Sequence, residues 1–227
     1  MIPRASPQSC VVIPSYNAEA TIAPLVRQAR GLGLDVVVIN DGSTDQTARL
    51  AIDAGATVIS HLHNRGKGAA LRTGFAFAVH GGYDPIITLD SDGQHDPSEI
   101  PAFLSALHHS DAGMVVGHRL GRPETMPRIR RWTNGVMSAI VSALARQAIP
   151  DSQCGFRVIR RALLQAVRLS ACRFELETEL ILKARRARWS VASLPVRSIY
   201  HHHHSHIHPL VDGWRFLRLI FTFMVSV

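Results

Sequence analysis

Cysteine is scarce in this sequence. Cys10, Cys154 and Cys172 are odd in number, far apart and without a CxxC pair. That argues against a disulfide framework or a structural zinc site and fits a reducing compartment. No apolar run reaches the roughly 20 residues that a bilayer-spanning helix needs. The richest, Trp214–Val227, is short and carries Arg215 and Arg218. Residues 1–9 (MIPRASPQS) have no apolar h-region, so no signal peptide is expected. Acidic residues are outnumbered, 17 Asp and Glu against 25 Lys and Arg, a net charge of +8. The surplus suits an anionic partner: a nucleotide, a phosphate, a membrane surface or a nucleic acid. No nucleic-acid motif accompanies it, so a nucleic-acid partner is not expected.

What the sequence does have is a series of short β-branched runs. They are 10–14, 35–40, 56–60, 85–89, 113–117 and 190–196. Continuous apolar runs of this length predict strands buried on both faces. Helical patterns over 18–31, 44–54, 67–79 and 97–108 lie between them. Asp96-Pro97 predicts an N-cap followed by Pro at the first helical position. Ser43 or Thr44 is expected to cap the helix after Gly42. Alternating strand and helix predicts an α/β fold, a mostly parallel mixed sheet with helices on both faces. Further helices are expected at 127–147, at 173–188 and at the end of the chain. No linker composition appears, so a tail (1–9), one domain (10–210) and a C-terminal helix (211–227) are expected.

In such sheets ligands bind beyond the carboxyl ends of the strands. The first strand ends in Pro14-Ser15-Tyr16-Asn17, the second in Asn40-Asp41-Gly42-Ser43, the fourth in Asp90-Ser91-Asp92-Gly93-Gln94-His95. Magnesium and manganese prefer carboxylate oxygen and water and bridge substrate phosphates. Asp90 and Asp92 can supply that site; the plainer alternative is an Asp-Gly turn. Asn64-Arg65-Gly66-Lys67-Gly68 precedes a helix, where glycines and a helix N-terminus can approach phosphate. It is neither a Walker A loop nor a dinucleotide fingerprint, and a glycine turn with a solvated lysine reads as well.

Together these motifs resemble the family 2 inverting glycosyltransferases of GT-A fold. The match rests on Ile13–Asn17, Val38–Asp45, Asn64–Gly68 with Ala70, and Leu89–Gln94. Val116-Gly117-His118-Arg119, Arg130-Arg131 and Asp151–Arg157 resemble the dolichol- and polyprenyl-phosphate sugar transferase type. The resemblance covers roughly 10–220. It implies that Pro14 and Tyr16 line the base pocket, with Asp41 at the nucleoside and Asn17, Lys67 and Ser91 also at the donor. It implies that Asp90, Asp92 and Gln94 hold Mg2+ or Mn2+ and the diphosphate, and that Arg119 and Arg130 are catalytic through the acceptor phosphate. Asn134 stands where the family commonly has serine, and His206 lies near the place of a basic acceptor residue.

The implied reaction moves a hexose from a donor of the GDP-mannose or UDP-glucose type to a polyprenyl or dolichyl phosphate. The expected place is the cytoplasmic membrane face, with peripheral contact and a separate membrane subunit left open. A polyprenyl phosphate is already an anionic nucleophile and needs positioning and charge neutralisation, not a strong base. Arginines suit it through bidentate contacts, although Arg119, Arg128, Arg130 and Arg131 also read as a solvated basic face. Transfer to a hydroxyl would need a carboxylate base, for which Asp151 is the candidate. A silent nucleotide-sugar-binding module is the third alternative, opposed by the intact Asp41, Asp90 and Asp92. Arg185–Trp189 only faintly resembles a motif of processive members. Apart from His206, the histidines of 201–208 carry no assigned role, and the glutamates 175, 177 and 179 read equally as a solvated or Arg-paired face and as residues near the site. The last helix reads equally as a membrane-surface element or as one packed on the protein's own core.

Overall fold

The β-branched runs fold as strands within one or two residues of their expected bounds. The computed structural model describes residues 8–119, 128–197 and 209–225, with backbone alone for 128–130 and 209–212. The strands are β1 (Cys10–Ser15), β2 (Asp35–Asn40), β3 (Thr57–Ser60), β4 (Ile86–Thr88), β5 (Ala112–His118), β6 (Arg157–Ile159) and β7 (Ser190–Pro195). The helices are α1 (Ile22–Gly31), α2 (Thr47–Asp53), α3 (Lys67–His80), α4 (Ile100–His108), α5 (Arg128–Ala145), α6 (Arg161–Ala166), α7 (Glu175–Arg186) and α8 (Pro209–Val225).

Among the described residues one sheet forms, in the order β3-β2-β1-β4-β6-β5-β7. All strands but β6 run the same way; β6 is antiparallel to both β4 and β5. Every residue of β1 is buried. Successive side chains point to opposite faces, so both faces of the sheet are covered, as the unbroken apolar run requires. On one side α3 comes so close that a Cβ on Gly74 would lie 2.3 Å from Val12.

Two local expectations are corrected. The helix after Gly42 begins at Thr47, not at 44, and neither Ser43 nor Thr44 caps it. Gln46 is the N-cap without a side-chain cap, and the preceding Asp45 closes a turn there, its Oδ1 accepting from the Thr47 N–H at 3.0 Å. At Pro97 the Asp96 carboxylate accepts from the Ser98 N–H as expected, but the first turn is a 3-10 turn (Pro97–Glu99) leading into α4. The short β6 and α6 have no counterpart in the sequence reading.

The core-packing expectation for the last helix describes one face of α8. Phe216 and Ile220 are buried in the core, and Phe223 packs under the Arg186 guanidinium at 4.9 Å. Trp214, Leu217, Phe221 and Met224 are exposed. Their spacing of three, four and three residues puts them on one stripe. No helix among the described residues is long and apolar enough to cross a membrane.

Candidate active site

The parallel topology sets the ends of β1, β2 and β4 side by side, and their polar residues stitch the rim together. Pro14 is buried in β1 and Tyr16 is half-buried just beyond it. Asn17 is left-handed at φ 48°, a conformation Asn tolerates. Its N–H donates to Ser43 Oγ at 3.0 Å and its Oδ1 accepts from the Thr44 N–H at 2.9 Å. Glu19 and Asp45 add a reciprocal clasp, each carboxylate accepting an N–H from the other loop. Asn17 therefore holds the β1 and β2 loops in register, whatever else it touches.

Asp41 is buried under the next loop. Its carboxylate accepts from the Arg65 and Gly66 N–H groups at 2.9 and 2.7 Å and lies 2.7 Å from His61 Nδ1. The expected nucleoside residue is thus also the organiser of the 64–67 loop. The glycines of that loop do not present an open phosphate cradle. A Cβ on Gly66 or Gly68 would fall about 2.5 Å from Cys172–Arg173, and the Ala69 N–H donates to the Cys172 carbonyl. They admit a neighbouring backbone segment to this helix start.

Lys67 points elsewhere. Its Nζ lies 2.7 Å from Asp90 Oδ1 and donates to both oxygens of Glu177 at 3.1 and 3.2 Å. Burial disfavours its charge, but Asp90 and Glu177 outweigh that and hold its pKa above the ordinary lysine value. The same contact works on Asp90. Burial would raise its pKa, and the ammonium of Lys67 brings it below the usual carboxylate range. Asp92 is pushed the other way, first by burial and then by the charge of Asp90. Its Oδ1 accepts from the Gln94 N–H at 2.9 Å, while the Ser91 carbonyl accepts from Thr21. His95 packs edge-on against Phe156, and burial lowers its pKa to about 4, so the ring is neutral at pH 7.

The 151–157 segment forms the floor. Arg119, at the end of β5, donates from Nε and Nη2 to the two oxygens of Asp151 at 2.8 and 3.1 Å. Burial opposes the charge on Asp151, yet this bidentate partner keeps its pKa below the ordinary value. The fully buried Arg157 donates to the carbonyls of Ser152, Cys154 and Glu177. Those bonds fix the turn that carries Gly155, where a Cβ would collide with Asp90. Asn134 is half-buried on α5. The Arg130 side chain and His206 lie outside the described residues, so the expected acceptor cluster is placed only through Arg119 and Asn134. Arg185 braces the carbonyls of Ala145 and Trp189.

The sequence left Glu177 open between a solvated face and a place near the site without naming its partner, and it did not show Gly155 as a steric requirement. Glu177 and Lys67 are 110 residues apart, and no spacing announces the pair. The only available signal was the motif 151–157 itself, whose glycine and arginine now have contacts that explain them.

An uncharacterized protein of Methanocaldococcus jannaschii is 30% identical over 198 residues, 84% of this chain and 81% of its own. The UDP-N-acetylglucosamine–dolichyl-phosphate N-acetylglucosaminyltransferase of Methanococcus voltae is 27% identical, over 84% of this chain and 85% of its own. Glucosyl-3-phosphoglycerate synthase of Mycobacterium tuberculosis, in complex with Mn2+, UDP and glucosyl-3-phosphoglycerate, superposes with a TM-score of 0.75. That structure is 22% identical, covers 98% of this chain and 80% of its own, and speaks to the fold, a GT-A arrangement. The family model described as glycosyl transferase family 2 matches residues 10–168, most of the chain. The chain is a glycosyltransferase and belongs to glycosyl transferase family 2.

Proposed function

We propose that the protein transfers a hexose, with inversion, from a nucleoside diphosphate sugar to a polyprenyl phosphate. The observation that carries this reading is the state of Asp151. A hydroxyl acceptor needs a base, and the candidate carboxylate is buried and bound through both oxygens to Arg119. A carboxylate held at low pKa by a guanidinium is a poor proton acceptor. An anionic phosphate needs no such base, and Asp151 then serves by fixing the plane of Arg119. The dolichyl-phosphate substrate in the name of the Methanococcus relative supports the same acceptor class.

The residues present fit a divalent metal. Asp90 and Asp92 are two carboxylates one residue apart, and the raised pKa of Asp92 reflects burial and a repulsion that a cation would relieve. No cluster of three or more His, Cys, Asp or Glu residues among those described encloses a metal. Mg2+ and Mn2+ commonly take their remaining ligands from diphosphate and water. Asp90 and Asp92 would hold it, with Gln94 alongside, and when bound it neutralises charge on the leaving nucleoside diphosphate. The Mn2+ and UDP of the Mycobacterium complex support this assignment.

Pro14 and Tyr16 border the space for the base. Asp41 uses three of about four acceptor positions on loop and histidine donors, leaving one for a base N–H. Arg119, Arg130, Asn134 and His206 are assigned to the acceptor phosphate. The exposed stripe of α8 suits a membrane surface, with Arg215 and Arg218 toward anionic headgroups at roughly 1 kcal/mol each. The test is incubation with membrane lipid and a panel of labelled GDP and UDP sugars. Label should enter lipid from one donor class; label released only as free sugar, or appearing only in water-soluble products, overturns the proposal.

A further inference from the structure

Lys67 is the first residue of α3, Glu177 lies in the first turn of α7, and Asp90 follows β4. Three elements thus converge on one ammonium. Its side chain is 16% exposed, against 21% for Asp90 and 6% for Glu177. Burying three ionised groups is costly unless each is well matched. The match here is uneven: one short contact to Asp90 and a forked pair to Glu177. The phenyl ring of Phe174 lies 5.7 Å from the same nitrogen.

We infer that Glu177 is a positioning residue that acts through Lys67 on the cation site, by giving the ammonium a second partner. The inference rests on Asp90 being a ligand of Mg2+ or Mn2+. With no divalent cation bound, Lys67 neutralises Asp90. A cation arriving at Asp90 meets a positive charge 2.7 Å from one of its oxygens. That charge must give way, and with only 16% of its side chain exposed Lys67 has little room to turn to solvent. Glu177 already holds it with two oxygens, so a small shift of Nζ toward Glu177 frees Asp90 without leaving the ammonium unpaired. Without the Glu177 charge, Lys67 stays on Asp90 and competes with the metal.

The test is a double-mutant cycle read by Mn2+ binding, measured by electron paramagnetic resonance on the full chain with UDP or GDP present. Glu177→Gln should weaken Mn2+ binding about tenfold, the low end of what partners one step removed from a metal cost. The same substitution placed on Lys67→Met should change affinity less than about twofold, because the competing ammonium is gone. An equal loss in both backgrounds means Glu177 acts only as a distant negative charge and overturns the inference, as does unchanged affinity in Glu177→Gln. Thermal melts confirm that each variant is folded, and Glu177→Asp, which keeps the charge, should recover much of the affinity. If the wild-type chain itself binds no Mn2+, or binds it as well after Asp90→Asn, the metal reading fails before this one is reached.

Discussion

A Cβ on Gly155 would stand 2.4 Å from both carboxylate oxygens of Asp90. Real Cβ atoms do not approach so closely, so any other residue at 155 displaces Asp90, the turn or both. Gly155 is held by its own carbonyl, which accepts from Thr88 Oγ1 at 2.7 Å, and by Arg157, which donates to the carbonyls of Cys154 and Ser152 before it. The turn is rigid, and Asp90 is the group that moves. Gly155→Ala should therefore cut turnover about a hundredfold, the usual cost of a misplacement near 1 Å. Overpacking should cost about 1–3 kcal/mol of stability, leaving the protein folded. Steady-state rates beside thermal melts check this, and wild-type turnover in the folded variant contradicts it.

Asp151→Asn separates the two acceptor chemistries. If Asp151 only orients Arg119, the amide oxygen keeps one guanidinium contact. The apparent KM for lipid should then rise, donor affinity should hold, and the acid limb of the pH–rate profile should stay in place. If Asp151 is the base, that limb disappears and kcat falls steeply. A full pH profile of the variant decides between them.

Glu179 predicts an acid-sensitive contribution to stability. It is buried, and its carboxylate accepts from the Ser170 N–H and hydroxyl, the Ala171 N–H and Lys183. Burial opposes its charge, but these donors bring its pKa below the ordinary 4.5. A depressed folded pKa means the stabilisation is present above pH 4.5 and is lost as pH falls through the folded value. Glu179→Gln should cost about 1.5–3 kcal/mol near neutrality. The gap from wild type should close in acid. Melting curves across pH test it, and a gap that stays constant below pH 4.5 contradicts it.

The two faces of α8 should separate by mutation. Trp214 and Phe221 are 69% and 65% exposed, so replacing both by Ala should leave the melting temperature unchanged while weakening liposome co-sedimentation. Phe216 is 5% exposed, and Phe216→Ala should cost about 3–5 kcal/mol. Unchanged binding to anionic vesicles in the double variant removes this stripe as the membrane contact.

The sheet was legible because strands buried on both faces leave unbroken apolar runs, and the strand ends then pointed to Asp41, Asp90 and Asp92. β6 was not, because it has three residues, begins with a buried arginine, and sits between β4 and β5 against the direction of every other strand. Nothing in a run of Arg-Val-Ile says that it is central. The glycines of 64–68 were visible, but what they make room for, Cys172–Arg173, is far along the chain. Arg119 and Asp151 were both singled out, and neither spacing nor composition joined them. Their pairing gives Asp151 a part beyond the base it could supply only for a hydroxyl acceptor. Side-chain partners across long loops are decided by packing, and that is where sequence reading stopped.

The most direct measurement gives the full chain its preferred nucleotide sugar, Mn2+ and two matched lipids: a polyprenyl phosphate and the corresponding polyprenol. The account predicts label on the phosphate alone, lost on chelation and restored by Mn2+ or Mg2+. Asp92→Asn should be slower by several kcal/mol of barrier, about a hundredfold or more. Label on the polyprenol but not the phosphate, or transfer indifferent to both chelator and Asp92→Asn, would contradict it.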